Sequence, residues 1–158
     1  MKLSRGIEPI IATIIIVAVT LVIAIAVIGW IMGWWGALTG GQEMLQVFAD
    51  SRLRITSPDG NQAEAEIHVA NKGGATATIY KVEIAGTDCK AETGDFDTKD
   101  LSKDTAGNIV VPPGKDGTFT ASITCSSSSL TPGATYNVKI YTKGGSTLSI
   151  NLVAEQAP

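Results

Sequence analysis

Few side chains in this sequence have the type and spacing that chemistry needs. His68 is the one histidine. It alternates with Ile67 and Val69, so it points outward from a strand, with no nucleophile, base or second ligand spaced beside it. Asp88, Glu92, Asp95, Asp97, Asp100 and Asp104 are interspersed with Lys90, Lys99 and Lys103. Asp95-x-Asp97 opens like a calcium loop, but the fifth position is Lys99, the required glycine is missing and the twelfth position is Ala106 instead of a glutamate. That stretch is expected to be a solvated loop without a metal. No glycine loop able to cradle a phosphate, no Gly-x-Ser-x-Gly and no HExxH occurs. The expectation is no catalytic residue, no cofactor and no enzyme activity. A net charge of −3, a pI of about 5.1 and the lack of a Lys/Arg cluster also argue against a nucleic-acid partner.

Cys89 and Cys125 are 36 residues apart, without a CxxC or a histidine pair that would signal zinc. Cys125 falls on the inward parity of its segment. A disulfide is expected, of the kind found in exported domains.

The elements that carry these residues divide sharply. No charged residue occurs from Pro9 to Gln42, whereas residues 51–158 hold 22 of the 27 Asp, Glu, Lys and Arg. From Ile7 to Leu38 there are 20 large apolar residues, ten of them isoleucine. A helix over this run exceeds the ~30 Å hydrocarbon core of a bilayer. Pro9 is tolerated in the first turn, where its missing N–H is not needed. Trp30, Trp34 and Trp35 cluster at the far end, as interfacial aromatics do. Lys2 and Arg5 precede the run and place its start in the cytoplasm. The run is too long for the apolar region of a removable secretory signal, and Ala24-Ile25-Ala26 sits in its middle. Exposing 20 such side chains to water would cost very roughly 30–60 kcal/mol, an upper estimate.

The polar entry to the run is more specific. A basic leader containing Lys2 and Arg5, the small residue Gly6, then Ile7-Glu8-Pro9-Ile10-Ile11-Ala12-Thr13 and a β-branched helix resemble the class III signal of archaeal type IV pilins. The match runs from Lys2 to about Gly36. It implies that a membrane aspartyl prepilin peptidase cuts between Gly6 and Ile7, before the apolar run, and that the helix is retained. It further implies an ATP-driven assembly machine on a membrane platform, which stacks the helix among identical ones. Ile7, Glu8 and Pro9 would then stand at the assembly end. In pilins an acidic residue near the mature N-terminus meets the freed α-amine of a neighbouring subunit, and Glu8 is one residue from the amine that cleavage would create. Glu8 is equally suited to the positive end of its own helix. The bacterial pattern places this acid later in the chain.

Beyond residue 50 the period becomes 2. Leu53/Ile55, Ala63/Ala65/Ile67/Val69, Tyr80/Val82/Ile84, Ile109/Val111, Phe119/Ala121/Ile123/Cys125, Tyr136/Val138/Ile140 and Leu148/Ile150/Leu152 alternate with polar residues. Pro58-Asp59-Gly60-Asn61, Pro112-Pro113-Gly114, Pro132-Gly133 and Lys143-Gly144-Gly145 mark turns between them. About seven half-buried strands predict an immunoglobulin-like sandwich. Gln42 to Ala49 is rich in helix formers and is expected to continue the helix.

The resulting expectation is an α+β chain. Residues 1–6 form the leader, 7–50 the hydrophobic helix and 51–158 an all-β outer domain. The resemblance implies the major subunit of an archaeal adhesion pilus: a homopolymer outside the cell, membrane-bound as a precursor. An archaellin-type motility filament, a minor pilin and a monomeric membrane-anchored binding sandwich are the alternatives.

Overall fold

The computed structural model describes residues 7–38 and 41–158, with side chains described for residues 9–33 and 41–158. They fall into two compact units divided between Gly40 and Gly41.

The first unit holds helix α1 (Ile7–Leu38), 32 residues long. At 1.5 Å per residue it is about 48 Å long. Isoleucine and valine are only fair helix formers in water. In apolar surroundings, however, a helix satisfies its backbone donors and acceptors within the segment itself.

The second unit is all β: β1 (Leu45–Val47), β2 (Arg52–Ile55), β3 (Gln62–Asn71), β4 (Ala77–Ile84), β5 (Lys90–Ala91), β6 (Phe96–Thr98), β7 (Ser102–Lys103), β8 (Ile109–Val111), β9 (Asp116–Thr124), β10 (Thr135–Thr142) and β11 (Thr147–Gln156). The pairings run β3-β2-β11-β10-β4-β5-β9, and β9 pairs β3 again, so the sandwich closes on itself as a barrel. β11 lies parallel to β2, with Ala154 opposite Leu53. The other ring pairings are antiparallel. Period-2 alternation puts Leu53, Ile67, Val69, Ile79, Val82, Ile84, Ile109, Phe119, Val138 and Ile140 in the interior, at most 1% exposed. Phe96 meets Phe119 edge to face, with centroids 6.0 Å apart.

All seven expected strands are present, joined by four short ones. One expectation is overturned. Residues 42–50 do not prolong the helix, which ends at Leu38. Leu45–Val47 instead pairs antiparallel with β3, Leu45 opposite Asn71 and Val47 opposite Val69. Local propensity favours a helix there, but burying Leu45 in the barrel and joining the edge of β3 decide the outcome. β1 and β2 lie along the same edge of β3. Residues 48–51 bulge out between them, so the two are halves of one interrupted strand.

Candidate functional sites: the apolar helix and the barrel entry

The surface of α1 is apolar on every side. Ile14 is 62% exposed, Val22 66% and Trp30 69%. Its two described hydroxyls are satisfied within the helix: Thr13 Oγ1 donates to the Ile10 carbonyl at 2.8 Å and Thr20 Oγ1 to the Val17 carbonyl at 2.9 Å. A Cβ added at Gly29 or Gly33 would meet nothing within 4 Å, so neither glycine is required by packing inside the chain. Gly6 lies outside the described residues, as do the side chains of Ile7, Glu8, Trp34 and Trp35. Pro9 is exposed in the first turn.

Chain entry into the barrel is tightly built. Gly74 N–H donates to the Gln42 carbonyl at 3.1 Å and Lys72 N–H to the Met44 carbonyl at 2.8 Å. Asn71, with no exposed surface, ties this segment down. Its Nδ2 donates to the carbonyls of Ala75 (2.7 Å) and Val111 (2.9 Å). Its Oδ1 accepts from the Gly73 and Met44 amides at 2.9 and 3.3 Å. The approach is so close that a Cβ on Gly73 would lie 2.1 Å from the Gln42 oxygen. Sequence reasoning missed Asn71; a lone asparagine after an alternating run carries no signal of its burial.

Cys89 and Cys125 form the expected disulfide, and both are buried. Next to it, the Asp88 carboxylate accepts hydrogen bonds from the backbone amides of Ser126, Ser127 and Ser128. Hydrogen bonds from Ser128 and Ser127 hold that carboxyl well below the usual range.

The remaining acids act locally. Asp97 pairs with Lys103 at 3.1 Å. Asp104 closes its own turn through Ala106 and Asn108 and meets Lys143 at 3.2 Å. Asp95 accepts from the Glu92 amide. Among the described residues no group of three or more His, Cys, Asp and Glu is placed to hold a metal.

His68 has more company than its spacing indicated. Its Nδ1 lies 2.9 Å from Asp50 Oδ2 and its Nε2 3.6 Å from Asp116 Oδ2. The hydrogen bond with Asp50, then the Asp116 contact, raises the imidazole pKa above its ordinary value, outweighing partial desolvation.

No family model and no curated protein matches this sequence. Solved structures do resemble it. The copper-bound PCuAC domain from PmoF2 superposes with a TM-score of 0.54 at 14% identity, covering 73% of this chain and 99% of that one. The apo PCuAC domain from PmoF1 gives 0.51 at 13%, covering 73% and 100%. These likenesses are of fold alone. The Iho670 flagellar-like filament subunit covers more, 92% of this chain and 98% of that one, at 12% identity. Its TM-score of 0.39 is too low to define a common fold.

Proposed function

We propose that this chain is the major structural subunit of an archaeal type IV pilus, polymerising through α1 into an extracellular adhesion filament. The observation that supports this reading is α1 itself. Pro9–Gly33 spans 25 residues, its most apolar 18-residue stretch has a mean hydropathy of 3.2, and none of that stretch is buried within the chain. Such a rod has no side that tolerates water. It must lie in lipid or among other helices, and the two surroundings are about equally apolar. Transfer from membrane to filament core then gains little by itself, which fits a machine-driven step. Once assembled, a subunit cannot return to water at a bearable cost.

In this reading prepilin peptidase cuts between Gly6 and Ile7 and frees an α-amine beside Glu8. The membrane platform and its ATPase stack α1 among its copies, and the barrel coats the outside. The chain acts as building material and not as an enzyme. N-terminal sequencing of sheared filaments should begin at Ile7. A start at Met1 or after Ala26 would reject this processing, and absence of the chain from sheared filaments would reject the reading altogether. An archaellin is separated by phenotype: deletion that abolishes swimming but spares adhesion would reassign the filament.

The barrel fold favours a second reading, a monomeric binding domain held in the membrane by α1. The PmoF2 domain is copper-bound. Copper sites draw on imidazole and soft sulfur donors. Here both cysteines are bonded to each other, and both ring nitrogens of His68 face carboxylates. Under this reading the chain stays in the membrane fraction after shearing.

A further inference from the structure

We propose that His68 is a proton-operated clasp that fastens the bulge between β1 and β2 to β3 and β9. The bulge, residues 48–51, is the break in the strand by which the chain enters the barrel. Its backbone is pinned on His68: Phe48 N–H donates to the His68 carbonyl at 2.9 Å, and His68 N–H donates to Ser51 Oγ at 3.1 Å. Ser51 Oγ in turn donates to the Phe48 carbonyl at 2.8 Å. The imidazole completes the arrangement. Nδ1 reaches Asp50 in the bulge, and Nε2 faces Asp116 on β9. The Phe48 ring lies over it at 4.4 Å between centroids.

A neutral imidazole can donate from one nitrogen only; an imidazolium donates from both. Protonation therefore lets one ring hold two carboxylates from different elements and places a cation against the Phe48 face. Without the proton, two negative charges flank a neutral ring. The charged groups around the ring are Asp50 from the bulge, Asp116 from β9, Glu66 on β3 itself, and Arg52 and Arg54 from β2; Asp50, Arg52, Arg54, Glu66 and Thr118 line a groove of about 380 Å³ with it. The carboxylates of Asp50 and Asp116 are the charged groups in contact with the ring. Their effect raises the folded pKa above 6.5. The clasp therefore has its full charged hold below 6.5 and loosens, to at most one hydrogen bond from a neutral ring, as pH rises through the folded value. Because the sequence has one histidine, a ring titration in this range belongs to His68.

The inference concerns the barrel and stands whether or not α1 builds a filament. It is tested on the full chain in detergent micelles by NMR titration of the imidazole, with amide exchange corrected for intrinsic rates. The ring should titrate above 6.5. Protection at the Phe48 and His68 amides should fall over the same interval, while that of Ile140 in β10 holds steady. Asp50→Asn should lower the midpoint, and His68→Gln should make bulge protection independent of pH. A ring midpoint at or below 6.5 overturns the clasp, as does bulge protection that is equal on both sides of the titration. A pH-dependent loss that persists in His68→Gln overturns it too. If His68→Gln does not fold, the wild-type and Asp50→Asn titrations decide.

Discussion

The Met44 amide donates to the side-chain oxygen of Asn71 at 3.3 Å, 27 residues further along the chain. Through this bond and the neighbouring Gly73 amide, one buried asparagine stitches the entry strand to the loop after β3. Asn71→Leu would fill similar space but leave the Ala75 and Val111 carbonyls without their donor. A loss of at least about 1–3 kcal/mol is expected, read from the urea midpoint of the barrel.

Gly73→Ala tests the same joint sterically. Its Cβ would overlap the Gln42 carbonyl, so residues 42–44 must move away. Amide protection at Lys72 and Gly74 should fall sharply, whereas Gly29→Ala, in open space, should leave the isolated subunit unchanged or slightly firmer in its helix.

Replacing Cys89 and Cys125 together by alanine should destabilise the barrel by about 4 kcal/mol, the chain-entropy value for a loop of this length. Thermal melts of oxidised wild type and the double variant measure it. A difference close to zero would mean that the unfolded chain without the cross-link already keeps these two segments close together.

That latch predicts an acid limit. The folded Asp88 carboxyl titrates below its ordinary 3.8, so its contribution is present above 3.8 and is lost as pH falls through the folded value. Asp88→Asn should weaken the protein at neutral pH and flatten this part of the acid profile. Unfolding midpoints measured from neutral to strongly acidic pH check both outcomes.

A lysine at Val22 tests the role of α1. A cation in the middle of an apolar span costs about 2.5–3.5 kcal/mol on insertion scales. The barrel should fold as before, judged by its near-ultraviolet signal, while surface filaments disappear from sheared fractions.

Where burial follows a short period, the sequence alone revealed the fold. The alternation through Ala63, Ala65, Ile67 and Val69 is β3, and most of the charge-free run lies in α1. β1 escaped because Gln-Glu-Met-Leu-Gln is locally helical, and its strand state comes from an edge that β3 supplies. β5, β6 and β7, at two or three residues each, are too short to display a period. The disulfide was legible because two cysteines leave a single intramolecular pairing. The partners of His68 were not, because Asp50 and Asp116 reach it through a bulge and a neighbouring strand and not through local spacing.

The interrupted edge strand also has a mechanical meaning. A pull applied ahead of Gly41 would reach the Gln42–Gly74 and Met44–Lys72 hydrogen bonds before any pairing of the closed ring. Those bonds would part first and release a short length of slack, while the interlocked strands behind them, cross-linked at Cys89 and Cys125, keep their shape under tension.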